Sequence, residues 1–89
     1  MNFVWDPKKN IENIAKHGVS FDMAQKAFGD PSRKFVIDTK HSIIEKRYFC
    51  YAKIDGEIIT VRFTLRAGNI RIIGAGFWRE GKKIYYENS

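Results

Sequence analysis

The sequence predicts an α+β fold: two N-terminal helices packed on a four-stranded antiparallel sheet, with a short helix after the last strand. Three observations predict it. Apolar residues at helical spacing, with caps, are confined to the first thirty positions. After Arg33, runs rich in Phe, Val, Ile and Tyr alternate with turn residues. Between two of these runs lies Asp55-Gly56, a pair that favours the two-residue type I′ hairpin turn.

Each element follows from its residues. Asp6-Pro7 suits an N-cap and a first helical position, Ile11, Ile14 and Ala15 recur at helical spacing, and Gly18 suits a left-handed stop, giving a helix over Pro7 to His17. Ser20 caps a second helix with Asp22 in its first turn and Phe21, Ala24, Ala27 and Phe28 on one side, ended by Gly29-Asp30-Pro31. Both helices are short, so each is expected to depend on docking its apolar stripe against the sheet. Strands are expected over 33–37, 45–54, 57–66 and 69–75, joined as an antiparallel meander, with a second tight turn at Ala67-Gly68. Trp78 to Glu87 reads as a terminal helix, against which Gly81 counts. No linker or repeat divides residues 1–89, which form one domain.

The Asp55-Gly56 turn sets a register in which Ile54 faces Glu57, Arg47 faces Thr64, Phe49 faces Arg62 and Glu45 faces Arg66. Tyr48, Cys50, Ala52, Ile59, Val61, Phe63 and Leu65 then share the core face. The second turn pairs Arg66 with Asn69, placing Arg71 beside Thr64 and leaving Ile70 and Ile72 on the core side. The polar face thus carries a row of Arg47, Thr64 and Arg71 with Arg62, Arg66 and Glu45 around it. Like charges packed this closely repel unless an anion lies between them, so the face is expected to bind phosphate. Phe49 and Tyr51 project from it, where a base stacks or a partner segment docks.

Composition agrees with a polyanion partner. Sixteen Lys and Arg against ten Asp and Glu leave a net charge of +6. The single Cys50, on the core face, fits a reducing cytoplasm better than secretion. No run is apolar enough to span a bilayer, and Met1 to Lys9 lacks the apolar stretch of a signal peptide. The two histidines are far apart in sequence, so neither a metal site nor a cofactor is expected. There is no glycine-rich phosphate loop and no serine elbow. Direct reading of DNA is not expected, because no helix carries a row of basic and amide side chains suited to a major groove.

Phe3-x-Trp-Asp-Pro, Asn13-x-x-Lys-His-Gly-Val-Ser-Phe21 and Phe28-Gly-Asp-Pro31, followed by Glu45-x-Arg47, Thr64-x-Arg66 and Ile70-Arg-Ile-Ile73, resemble the BrnT family of bacterial toxins over nearly the whole chain. The resemblance implies a RelE-like fold, metal-independent cleavage of RNA that halts translation, and neutralisation by a BrnA-like antitoxin. In the family, contact with operator DNA falls to the antitoxin. There is one departure. Many members carry Ser-Ala-Arg after the last strand, where this chain reads Gly74-Ala75-Gly76 followed by Phe77-Trp78-Arg79. The resemblance therefore leaves two possibilities, a weaker nuclease or a role for Arg79 in place of the missing arginine.

Cleaving RNA without a metal uses the 2′-hydroxyl as nucleophile and needs a base, an acid and cations around the phosphorane. Arginine suits the last task, because its planar fork binds two phosphate oxygens. Arg47, Arg66 and Arg71 are the candidates, with Arg79 from the departure. Glu45, the only carboxylate expected on this face within the central strands, is either the base or the residue that orients Arg66. His41 lies in the preceding loop and is a conceivable proton donor; Arg62, Thr64, Phe49 and Tyr51 are candidate RNA contacts. The plain alternatives are a solvated, salt-bridged sheet face for Glu45 and Arg47, an exposed loop position for His41, and capping or packing for His17. Two functions compete with the ribonuclease toxin: a non-catalytic module whose basic face receives an acidic antitoxin segment, and a general nucleic-acid binder whose affinity falls steeply with salt.

Overall fold

A computed structural model describes residues 2–87. The chain enters its first helix as the caps require. The Asp6 carboxylate accepts a hydrogen bond from the Lys8 N–H at 2.9 Å, Pro7 follows, and Gly18 at φ 69° ends the helix with its N–H donating to Ile14 O. In order, the elements are β1 (Phe3–Val4), α1 (Pro7–His17), α2 (Phe21–Ala24) running into a 3-10 turn (Gln25–Gly29), β2 (Lys34–Ile37), a 3-10 turn (Thr39–His41), β3 (Arg47–Ile54), β4 (Glu57–Arg66), β5 (Asn69–Gly76) and α3 (Arg79–Tyr86).

The sheet has five strands in the order β1-β5-β4-β3-β2. Four form the expected antiparallel meander, in the expected register: Arg47 faces Thr64, Phe49 faces Arg62, and Arg66 faces Asn69. Both tight turns have two positive φ angles, 49° and 84° at Asp55-Gly56 and 51° and 79° at Ala67-Gly68, as type I′ geometry demands. The four-strand expectation is corrected by β1, which pairs parallel to β5 with Phe3 beside Ile70 and Val4 beside Arg71, so the sheet is mixed. Two residues are too short to show an alternating pattern, and only the tertiary fold brings them to the edge. Between Arg62 and Phe63 the pairing with β5 slips by one residue at Ile73. This bulge returns Ala75 to the core and turns Gly74 and Gly76 toward the arginine face.

The core lies between the sheet and the helical segments, where Val19, Phe21, Ala24 and Ala27 meet Cys50, Ala52, Ile59, Val61 and Ile72. Burial pushes the Cys50 thiol up to about 12. The expected apolar stripe of α1 is corrected. Ile11 is 67% exposed and Ile14 is also exposed, while Asn13 is the buried residue. Its amide nitrogen donates to Val19 O at 2.8 Å and Ala75 O at 2.9 Å, and its oxygen accepts from the Ala75 N–H at 3.2 Å. A polar side chain thus docks α1 on the backbone of β5. Leu65, expected in the core, is 51% exposed at the rim of an open apolar recess with Phe28, Phe35, Tyr48 and Phe63.

The third helix packs on the opposite face, over Tyr51 and Thr60. Gly81 makes this approach possible: a Cβ there would lie 2.0 Å from Thr60 Oγ1 and 3.2 Å from Tyr51 Cδ1. With one end of the polar face covered by α3, the other end, at Arg47, Thr64 and Arg71, is left as the open part. Among the described residues, no helix is long and apolar enough to cross a membrane.

Candidate nucleic-acid interface

The open end of the polar face is built from neighbouring strands whose alternation points every second side chain outward. Arg47 and Arg71 flank Thr64 as direct cross-strand partners. Thr64 is only 1% exposed, and its hydroxyl donates to Lys46 O at 2.7 Å. It forms the packed floor between the two arginines. Glu45 precedes β3 by two residues, yet meets its expected partner: Arg66 Nη2 donates to Glu45 Oε2 at 3.0 Å and Oε1 at 3.2 Å. Arg47 Nη2 lies 4.0 Å from the same carboxylate. The Arg66 hydrogen bond, more than the opposing effect of desolvation, holds the Glu45 carboxyl below the usual carboxylate range, and the charges of Arg66, Arg47 and Arg71 act in the same direction.

One atom of this cluster has no partner. Arg47 Nε is buried without a hydrogen-bond acceptor among the described residues. A buried donor left open costs roughly 1–3 kcal/mol.

His41 joins this site through Asp38, which no sequence motif singles out. Its Nδ1–H donates to the buried Asp38 carboxylate at 2.9 Å, and Arg62 Nη2 lies 3.8 Å from the same oxygen. Ser42 ties the loop down, its Oγ donating to Asp38 O at 2.6 Å and accepting from the Arg47 N–H at 3.0 Å. His41, Glu45, Arg47 and Arg66 thus line one recess of about 380 Å³, beside the exposed Ile43 and Ile44. The available signal was the spacing of Asp38 and His41, which places both on one turn.

Not every expected residue is here. Tyr51 is 5% exposed beneath α3, with burial pushing its phenol up, so it offers no ring to a base. Phe49 remains half-buried and stacks on Tyr51 with centroids 5.7 Å apart. Arg79 opens α3 beside Glu57 and Ile58, at the hairpin end of β4. Glu57 and Thr64 lie seven residues apart on that strand, roughly 23 Å at ~3.3 Å per residue. Arg79 is therefore not brought to the arginine row. Nor is there an empty place for the family's arginine at position 76, because a Cβ on Gly76 would fall 2.5 Å from the Trp78 ring.

Residues 5–81 match the family described as "Ribonuclease toxin, BrnT, of type II toxin-antitoxin system". The chain belongs to the BrnT family. It is therefore a type II toxin-antitoxin ribonuclease toxin by family, and an antitoxin is the partner that BrnT membership implies. The BrnT chain is also similar to proteins described as "Cell division topological specificity factor" in two strains of Klebsiella pneumoniae. Each is 31% identical over 74 residues, covering 82% of this chain and 81% of the relative. Among the described BrnT residues, no group of three or more His, Cys, Asp or Glu side chains could hold a metal ion.

Proposed function

We propose that this BrnT-family chain cleaves single-stranded RNA without a metal or cofactor, halts translation in the cytoplasm, and is neutralised by a BrnA-like antitoxin. Glu45, held as a carboxylate by Arg66, accepts the proton of the 2′-hydroxyl. The 2′-oxygen attacks phosphorus while Arg47 and Arg71 take the equatorial phosphate oxygens. His41, oriented through Nδ1 by Asp38, gives a proton from Nε2 to the leaving 5′-oxygen. The phosphorus–5′-oxygen bond breaks, leaving a 2′,3′-cyclic phosphate and a 5′-hydroxyl. The single observation carrying this reading is the buried Arg47 Nε, without an acceptor among the described residues, at a site where one carboxylate, Glu45, serves both Arg47 and Arg66.

Expression without a partner tests the reading in cells. Growth should stop, protein synthesis should fall first, and Arg47→Ala with Arg71→Ala should restore both. Unimpaired growth at confirmed high expression of intact protein argues against it. The name of the Klebsiella pneumoniae relatives predicts a different outcome, a change in where cells divide while synthesis continues, and microscopy of the same cultures separates the two.

A second reading is favoured by Gly74 and Gly76, which present no reactive side chains to the arginine face. In it, the basic face chiefly receives an acidic antitoxin segment. Tight, salt-sensitive binding of that antitoxin with no RNA cleavage by the free chain would select this reading.

A further inference from the structure

A second cleft opens on the α1 side of the arginine face, about 320 Å³ in volume, between α1 and the end of β5. Its walls are cationic and aromatic. Lys9 and Lys16 stand seven residues apart, two turns along one face of α1, and Arg62 stands opposite on β4. Glu12 is the one acid among its lining residues. Trp78, 38% exposed, closes the end, with the His17 ring edge-on to it at 5.1 Å and 81°.

The two glycines that depart from the family motif shape this cleft. Gly74 forms its floor, where an added Cβ would meet only Asn13 Oδ1 at 3.8 Å and Arg62 Cδ at 4.0 Å. Gly76 lets the Trp78 indole lie directly on the strand, since an added Cβ would sit 2.5 to 2.8 Å from three ring atoms. The Asn13 bonds to Ala75 set the distance between helix and strand. Arg62 belongs to both sites, with its aliphatic stem beside Gly74 and its Nη2 3.8 Å from Asp38. The cleft therefore continues the arginine face rather than forming an isolated pocket.

We infer that this cleft is a nucleotide subsite for single-stranded RNA, in which a base flanking the cut packs against Trp78 and His17 and its phosphate lies between Lys9, Lys16 and Arg62. The inference rests on the RNA reading above and extends it to a flanking nucleotide. Cations supply backbone attraction and an aromatic wall supplies sequence-tolerant base contact, the combination that single strands require.

The test uses the intact protein and a short single-stranded RNA whose 2′-hydroxyls are replaced by hydrogen, so that it binds without being cut. Trp78→Ala should weaken binding about tenfold or more, the loss expected for one stacked base, while Trp78→Phe should retain most of the affinity. Lys9→Gln with Lys16→Gln changes only the exposed surface of α1, and should lower the slope of log affinity against log salt by about 0.7 for the one phosphate they hold. If the wild-type chain binds and both Trp78→Ala and the double lysine variant bind equally well, the subsite is overturned and the RNA reading stands. If the wild-type chain binds no RNA, the RNA reading fails and the subsite falls with it. Equal loss for Trp78→Phe and Trp78→Ala also overturns it, because a stacking wall tolerates Phe.

Discussion

A single guanidinium nitrogen of Arg66 holds both carboxylate oxygens of Glu45, at 3.0 and 3.2 Å, from the far end of the neighbouring strand. A carboxylate gripped in this way stays ionised to lower pH than a free one. It accepts protons and does not donate them at neutral pH. Glu45→Gln is therefore expected to cut the RNA cleavage rate by about 10²–10⁴, with RNA affinity largely retained. Arg66→Ala removes the leading cause of the lowered pKa, so the acid limb of the pH–rate profile should move to higher pH. An acid limb that stays in place would remove Glu45 from the role of base.

Gly81 decides whether α3 can sit on the sheet. Alanine is favoured over glycine within a helix by about 1 kcal/mol. Here its Cβ would lie 2.0 Å from Thr60 Oγ1 and 3.4 Å from Thr60 Cβ, on a rigid strand. Overpacking costs roughly 1–3 kcal/mol and exceeds the gain in propensity. Gly81→Ala should lower stability by up to about 2 kcal/mol in urea denaturation, the difference of these two effects, and a stabilised variant would show that α3 docks differently.

Ala67 adopts φ 51°, a left-handed conformation that costs a non-glycine residue roughly 1–2 kcal/mol. Asparagine tolerates this region and forms the preferred first half of an Asn-Gly type I′ turn. Ala67→Asn should raise stability by about 0.5–1 kcal/mol without altering the register of β4 and β5. Thermal denaturation measures the first, and amide exchange along the hairpin measures the second.

Asp30 and Tyr85 make the attachment of α3 sensitive to pH at both extremes. The Asp30 Oδ2 accepts from the Tyr85 hydroxyl and from the Lys53 N–H, each at 2.7 Å. Burial draws the Asp30 pKa upward, but these bonds, with that from Ser32, outweigh it and leave the carboxyl below its ordinary 3.8. Its stabilising contribution is present above that value and is lost as pH falls through the lower folded pKa. The bond to Asp30, followed by burial, raises the Tyr85 phenol above 10.0, so that contribution is present below 10.0 and is lost as pH rises through the higher folded pKa. Tyr85→Phe should flatten both limbs of stability against pH, measured by denaturation in a buffer series.

The hairpins were legible because Asp55-Gly56 and Ala67-Gly68 specify a turn type, and the turn type specifies which side chains face one another. That relation placed Arg47, Thr64 and Arg71 in one row, and set Glu45 against Arg66 although β3 begins two residues later. Alternation reports the face of a side chain and not its depth. It therefore could not show that Thr64 is sealed between arginines, or that α3 covers Tyr51. Helical periodicity counts apolar residues, so it pointed to Ile11 and Ile14 and passed over Asn13, whose amide carries the docking. The β1 pairing and the bulge at Ile73 arise from contacts distant in sequence and leave no local signal. The placement of Arg79 beside Glu57, away from the arginine row, depends in turn on where α3 crosses the sheet.

The most direct measurement is cleavage of a single-stranded RNA by the purified chain in the presence of EDTA, with the product ends identified and Arg47→Ala and Arg71→Ala run beside it. The account predicts products ending in a 2′,3′-cyclic phosphate and a 5′-hydroxyl, formed about 10²–10³ times more slowly by either variant. Cleavage that requires added metal, or that proceeds at the wild-type rate in both arginine variants, would contradict it.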